Sequence, residues 1–233
     1  MPLIIALLTA LLLPATVAAE PLRIATAANF KATLEQINRL YESDRGVATK
    51  LTSASTGVIA SQILNGAPFD VFFAADRQTP LRIADQLSEK GVRTFCYAIG
   101  RLVLLGGNGQ LNQLANPSLS LAIANPRTAP YGRAAVEVLK RPEFADGSDR
   151  KLIRGNNAVQ TYQFWHSGGV DLALVPASLS VDQGTPVPQN WHQPLAQYAL
   201  VVRPSLAVQA YLEWFESARV RTLITDARYQ TCP

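Results

Sequence analysis

In the first part of the chain, short runs of apolar residues alternate with segments in which apolar residues recur every three or four positions, as on one face of a helix. The pattern predicts three strands, each followed by a helix, at residues 22–25 and 30–42, 47–51 and 59–63, and 71–75 and 79–87. The continuous apolar run at 71–75 is typical of a strand that is buried on both faces. This alternation favours a parallel sheet covered by helices.

The second part of the chain repeats the alternation with shorter elements. Strands are predicted at residues 102–105, 121–124, 152–153, 170–175 and 198–202, and helices at 132–139, 159–166 and across 208–215. We therefore predict an α/β fold of two lobes, each with a mainly parallel sheet flanked by helices. A ligand cleft between the lobes is expected at the carboxyl ends of the strands. The first lobe is predicted to comprise residues 20–98 and 204–233, and the second residues 99–203.

The first 19 residues differ in character from the rest of the chain. An apolar core at residues 3–13 is too short to span a bilayer, and small residues at 17–19 precede Glu20. This predicts a signal peptide at residues 1–19 and a periplasmic protein, although the usual Lys or Arg near the start is absent. A lipid anchor or a buried helix is the alternative. The lack of a cysteine just after Ala19 argues against the anchor.

Composition narrows the possible functions. Of the 233 residues, 48% are hydrophobic and 16% are charged, which excludes a disordered chain. The net charge is +4, and because the basic residues are scattered we expect no nucleic-acid partner. Two histidines and two cysteines are too few for most zinc sites, so no metal ligated by side chains and no cofactor is expected. In an oxidising compartment Cys96 and Cys232 can form a disulfide, or they can remain separate thiols.

Small and polar residues separate a strand from the following helix four times. These turns occupy residues 26–29, 53–57, 125–132 and 155–159. Each leaves backbone N–H groups free at a helix N-terminus, where the helix dipole favours an anion. Asn29, Ser55 and Thr56 can add side-chain donors. If the turns converge, they form an oxyanion cage of neutral donors; ordinary helix capping by Ser, Thr and Asn is the alternative.

Three segments at these turns also carry a family resemblance. They are AAN at residues 27–29, STGVIASQILNGAPFDVFFAAD at 55–76 and NPRTAPYGRAAVEVL at 125–139. Together they resemble the periplasmic molybdate-binding proteins of ABC transporters, in the order in which that family has them. The resemblance implies a two-lobed protein, monomeric and not an enzyme. Such a protein captures molybdate or tungstate as a ligand and delivers it to a membrane ABC permease.

The resemblance also implies a set of oxyanion contacts. The first turn corresponds to Ala28 and Asn29, and the second turn supplies a hydroxyl that falls on Thr56, with Ser55 as the alternative. The third and fourth turns correspond to the backbone N–H groups of Tyr131 and Val159, respectively.

One expected contact is missing from the sequence. Many members of the family have a tyrosine after the next strand, where this chain has Pro176, which offers neither a hydroxyl nor an N–H group. Whether this region supplies a fifth contact is left open. Tyr131 resembles a subgroup that lacks the late tyrosine, so the site can be complete in another way.

Two other functions remain as alternatives. The first is a binding protein for another oxyanion, such as sulfate or phosphate. The second is a secreted hydrolase, whose nucleophile in the second turn needs His166 or His192 as a base. Charged residues near the turns are expected to be structural, with Arg133 pairing with Glu137 at helical i, i+4 spacing.

Overall fold

The structure is a computed structural model that describes residues 20–87, 92–180 and 183–233. The predicted signal peptide at residues 1–19 therefore lies outside the described residues. Within the described ranges, no helix combines the length and the hydropathy that a membrane span needs.

Ten strands occur in the described part of the chain. They are β1 (Leu22–Ala27), β2 (Thr49–Ala54), β3 (Val71–Phe73), β4 (Thr94–Ile99), β5 (Leu102–Gly106), β6 (Leu121–Ala124), β7 (Leu152–Gly155), β8 (Leu172–Pro176), β9 (Thr185–Pro186) and β10 (Ala196–Val201). The α-helices are α1 (Lys31–Arg45), α2 (Thr56–Leu64), α3 (Gln78–Leu87), α4 (Pro130–Leu139), α5 (Ala158–His166), α6 (Leu206–Phe215) and α7 (Ala218–Asp226). Short 3-10 helices include Ala28–Phe30 and Ala177–Leu179.

These strands form two sheets of five. The first has the order β2-β1-β3-β10-β4 and the second β7-β6-β8-β5-β9. Within each sheet three neighbouring strands run parallel, and the following strand, β10 or β5, is antiparallel to both of its neighbours. The predicted α/β class with two lobes and mainly parallel sheets is confirmed.

Strand β10 departs from the predicted division of the chain. Its residues lie within 99–203, the range predicted for the second lobe, but it pairs with β3 and β4 of the first sheet. The apolar residues at its end are buried on both faces of the sheet, with Ala199 and Val201 in one hydrophobic cluster and Leu200 in another. The chain therefore returns to the first sheet before residue 203.

The first helix illustrates how the sequence pattern produces the packing. Leu34, Ile37 and Tyr41 recur at intervals of three and four residues, and all three are buried against the first sheet and the last helices. Burying each such side chain contributes about 1.5–3 kcal/mol. The helix ends at Gly46, whose φ of +67° is a left-handed conformation that glycine adopts without strain.

A disulfide joins the middle of the chain to its end. Cys96 in β4 is bonded to Cys232, with their Cα atoms 6.1 Å apart, which confirms the predicted pairing. Next to it Gln230 exchanges two backbone hydrogen bonds with Ile99 at 2.8 and 2.9 Å. The last residues are thereby held beside the point where the chain crosses from β4 to β5.

Candidate oxyanion-binding site

The starts of several helices from both lobes meet at one small cavity. Its volume is about 10 Å³, which is close to the smallest that holds one water molecule. The residues that line it are Ala27, Ala28, Asn29, Ser55, Thr56 and Ala75 from the first lobe, and Ala129, Pro130, Tyr131 and Ala158 from the second. The structure thus brings together residues from all four predicted turns, the fourth through Ala158, the first residue of α5.

Three helices begin at the cavity without a side-chain cap. The N-cap residues are Ala27, Ser55 and Ala129, and none of them accepts a hydrogen bond from its helix through its side chain. By contrast, Ser205 and Ser217 cap α6 and α7 in the usual way, far along the chain from these turns. Ordinary capping therefore does not explain Ser55, whose side chain leaves the start of α2 uncapped, whereas an anion would satisfy free N–H groups at these helix starts.

The hydroxyl of Ser55 has no partner. Ser55 is 4% exposed, and its Oγ lies buried without a hydrogen bond. Leaving a buried donor unsatisfied costs about 1–3 kcal/mol, so the position is unfavourable unless a guest completes it. This hydroxyl is free to donate to a ligand.

Thr56, the residue first expected to supply the hydroxyl, is engaged within the first lobe. Its Oγ1 accepts a hydrogen bond from the backbone N–H of Ala75 at 3.1 Å. That bond ties the start of α2 to the end of β3 and holds the second turn in place. Of the two neighbouring hydroxyls, the one without a partner belongs to Ser55.

The side chain of Asn29 is also occupied. Its Nδ2 donates to Oε1 of Gln197 at 2.9 Å and to the hydroxyl of Tyr229 at 3.1 Å. Both side-chain N–H groups are therefore used inside the protein. Asn29 is the second residue of a 3-10 helix, and its backbone N–H is one of the donors that the helix itself does not use.

The fourth predicted turn lies at the edge of the cavity. Asn157 caps α5 by accepting a hydrogen bond from the backbone N–H of Gln160 at 3.0 Å. Ala158 lines the cavity, whereas Val159 lines an adjoining surface groove of about 320 Å³ together with Ala28. As the first two residues of the helix, Ala158 and Val159 have N–H groups without partners in it.

The cavity is lined by neutral groups. Burial raises the pKa of the Tyr131 hydroxyl well above the ordinary value of a tyrosine, so this group stays uncharged. The nearest carboxylate along the chain, Asp76, accepts hydrogen bonds from the backbone and hydroxyl of Thr79 and forms an ion pair with Arg133 of the other lobe. The predicted pairing of Arg133 with Glu137 is wrong, because Asp76 lies closer once the lobes meet.

Backbone contacts close the lobes over the cavity. The N–H of Gly57 in α2 donates to the carbonyl of Thr128 at 2.8 Å, which links the second turn to the third. A Cβ atom at residue 57 would lie 3.1 Å from the Cα of Thr128, so glycine permits this close approach. The structure therefore has the lobes in contact.

Pro176 is not among the residues that line the cavity, and Tyr229 from the end of the chain lies beside the first turn instead. Pro176 ends β8, and two residues later the hydroxyl of Ser178 donates to the carbonyl of Asn29 at 3.0 Å. The hydroxyl of Tyr229 lies 2.8 Å from the same carbonyl. Sequence reasoning missed Tyr229; its one signal was the position three residues before Cys232.

Residues for metal or hydrolytic chemistry are not assembled in the described part of the chain. Among residues 20–87, 92–180 and 183–233, no three His, Cys, Asp or Glu side chains are grouped to hold a metal ion. His166 stacks on Tyr162, and His192 bonds to the carbonyl of Gln193. Neither histidine lines the cavity, so Ser55 has no imidazole base there.

Comparisons with known proteins show the family and the fold to which this chain is similar. Residues 22–230 match the family model described as bacterial extracellular solute-binding protein. The chain is 34% identical to the molybdate-binding protein ModA of Azotobacter vinelandii, with 97% of this chain and 96% of the relative covered. It is 30% identical to ModA of Rhodobacter capsulatus, with 97% and 94% covered. The solved structure of the periplasmic molybdate-binding protein of Azotobacter vinelandii superposes with a TM-score of 0.82 at 30% identity, covering 91% of this chain and all of that one.

Proposed function

This chain belongs to the family of bacterial extracellular solute-binding proteins, and we propose that it captures molybdate or tungstate in the cavity between its lobes. The family comprises solute-binding proteins rather than enzymes, in line with the prediction from sequence. The observation that carries the proposal is the unpartnered Ser55 hydroxyl in a cavity lined by uncapped helix N-termini.

Five residues are proposed to hold the anion. Ser55 supplies its hydroxyl, and Ala28, Asn29, Tyr131 and Val159 supply backbone N–H groups. Thr56 orients the second turn through its bond to Ala75 and is the alternative hydroxyl. A hydrogen bond to a charged group contributes roughly 1.5–3 kcal/mol. Five such bonds total about 7.5–15 kcal/mol before the costs of association and ordering, so strong, well-aligned bonds are needed to keep the roughly 8 kcal/mol of a Kd near 1 μM.

The donor set favours a fully deprotonated oxyanion over hydrogen phosphate. The residues lining the cavity include no carboxylate. A protonated anion needs an acceptor for its own hydroxyl, and a hydroxyl that accepts this bond is a weaker partner than a carboxylate. Sulfate competes with molybdate more strongly than hydrogen phosphate does, because it is also a fully deprotonated dianion. The names of the two curated relatives favour molybdate over sulfate.

Delivery and location follow from the same family. We propose that residues 1–19 direct export to the periplasm and that the monomeric protein passes its cargo to a membrane ABC permease. The proposed first lobe comprises residues 20–98 and 204–233 together with β10, and the second comprises the remaining described residues between 99 and the start of β10.

Calorimetric titration of the protein against molybdate, tungstate, sulfate and phosphate tests the proposal. We expect molybdate or tungstate to bind with micromolar or better affinity and the other two at least a hundredfold more weakly. Equal affinity for all four anions, or no heat with any of them, would contradict it. Tight phosphate binding would support the other-oxyanion alternative instead.

A further inference from the structure

A buried glutamine side chain joins the two lobes. Gln197 in β10 is 0% exposed, and its Oε1 accepts hydrogen bonds from the hydroxyl of Tyr97 at 2.8 Å and from Nδ2 of Asn29 at 2.9 Å. Its Nε2 donates to the hydroxyl of Tyr131 at 3.0 Å. Tyr97 and Asn29 belong to the first lobe, whereas Tyr131 opens α4 of the second. One amide therefore connects both halves of the protein.

The backbone around Gln197 is shaped for this contact. The pairing of β10 with β4 shifts register between Gln197 and Tyr198, and such bulges redirect a side chain next to functional sites. Opposite it, Gly100 stands in the link between β4 and β5. A Cβ atom there would overlap the hydroxyl oxygen of Tyr131 and would lie 2.6 Å from Nε2 of Gln197.

The absence of a side chain at Gly100 has a specific meaning. Its φ lies outside the left-handed region, so the backbone itself does not require glycine at this position. The space that a methyl group would fill is occupied by the Tyr131 hydroxyl when the lobes are together. Gly100 thus provides a slot in the link between the two lobes for the hydroxyl of Tyr131.

Two partners of this amide also line the cavity. Asn29 and Tyr131 are both at the site, and each is proposed to offer its backbone N–H to the anion. We propose that Gln197 is a positioning residue that couples lobe closure to anion capture. When the hydroxyl of Tyr131 enters the slot and bonds to Gln197, the backbone N–H groups of Tyr131 and Asn29 both point at the same bound anion. This inference rests on the proposed function, because the guest is the oxyanion.

The network is suited to this role because it is neutral. Burial raises the pKa of Tyr97 and of Tyr131 well above the ordinary range, so neither hydroxyl carries a charge that would oppose the anion. The Tyr97 hydroxyl also lies 3.1 Å from the carbonyl of Ala74, which anchors the amide's acceptor side to the first lobe. The bond to Tyr131 is the part that forms and breaks between lobes.

Tyr131→Phe tests the inference while keeping the backbone N–H at the cavity. We expect the Kd for molybdate to rise roughly tenfold, because one buried hydrogen bond is lost and Nε2 of Gln197 is left without an acceptor. Gln197→Met removes the same bond together with those from Tyr97 and Asn29. The double variant should be no more than about twofold weaker than Gln197→Met, since the bond to Tyr131 is already absent in that variant.

A direct readout of closure accompanies the affinity. The N–H of Gly57 donates to Thr128 across the lobes, so its hydrogen exchange followed by NMR reports how often they part. With molybdate bound, we expect this exchange to be roughly tenfold faster in Tyr131→Phe than in the wild type. Tyr211→Phe is the matched control: its buried hydroxyl bonds to Asn38 at 2.7 Å inside the first lobe, so neither readout should change.

The outcomes separate this inference from the proposed function. A wild-type protein that binds none of the oxyanions overturns the proposed function. The inference itself fails if the amide hydrogen of Gly57 exchanges at the same rate in the wild type and in Tyr131→Phe. This comparison is made with whichever anion binds; if none binds, it is made in the ligand-free protein. It also fails if Tyr211→Phe weakens binding as much as Tyr131→Phe does.

Discussion

Replacing Ser55 with alanine should separate ligand binding from stability. The Ser55 hydroxyl makes no hydrogen bond in the structure, so its removal breaks nothing within the protein. If it donates to the bound anion, the variant loses a charge-assisted hydrogen bond of about 1.5–3 kcal/mol, which raises the Kd for molybdate by about 10- to 150-fold. The free energy of unfolding of the ligand-free variant should stay the same or rise, since a buried unsatisfied group is removed.

Ser205→Ala is the matched control. Ser205 is also the N-cap of a helix, but its Oγ accepts a hydrogen bond from the backbone N–H of Val208 at 3.2 Å. This variant should lose about 1 kcal/mol of stability and keep the wild-type affinity, which is the opposite of the result for Ser55→Ala. Titration calorimetry and urea unfolding without ligand measure the two quantities. The reasoning is refuted if Ser55→Ala binds molybdate as tightly as the wild type, or if it unfolds as easily as Ser205→Ala.

Three further predictions concern other parts of the molecule. Thr56→Val should lower the free energy of unfolding by about 1–3 kcal/mol, because the buried N–H of Ala75 loses its acceptor; equal unfolding curves in urea would contradict this. Cys96→Ser should lower it by about 2–5 kcal/mol, since the disulfide no longer restrains the unfolded chain; an unchanged urea midpoint would count against that. Burial raises the pKa of Tyr131 in the folded protein, whereas the unfolded chain ionises near the ordinary tyrosine pKa of about 10. The free energy of unfolding should therefore be constant below about pH 10 and fall as the pH rises beyond it. Unfolding curves measured across that range should show the decline, whereas stability that increases above pH 10 would oppose it.

The sequence predicted which turns form the site better than it predicted the hydrogen bonds and ion pairs between them. The turns at residues 26–29, 53–57, 125–132 and 155–159 meet at the cavity because each follows a strand, and the carboxyl ends of parallel strands lie at one edge of a sheet. The choice between Ser55 and Thr56 depended on where α2 begins, and a pattern defines a helix start only to within a residue or two.

Contacts between segments far apart in the sequence could not be predicted from the periodicity of hydrophobic residues. The bonds of Asn29 to Gln197 and to Tyr229 join residues 168 and 200 positions apart, and no periodicity reports such pairings. The i, i+4 rule proposed Glu137 for Arg133 because it considers one helix alone, whereas the observed partner lies on the other lobe. The return of β10 to the first sheet was missed for the same reason.

Anomalous diffraction from crystals grown with molybdate tests the central claim most directly. The claim is that uncapped helix N-termini from both lobes, with the Ser55 hydroxyl, hold an oxyanion without a countercharge. We predict one strong molybdenum peak inside the cavity, with its oxygens in hydrogen-bonding contact with the Ser55 hydroxyl and with the N–H of Tyr131. A peak elsewhere on the protein, or an ordered anion held mainly by arginine and lysine side chains, would contradict the account.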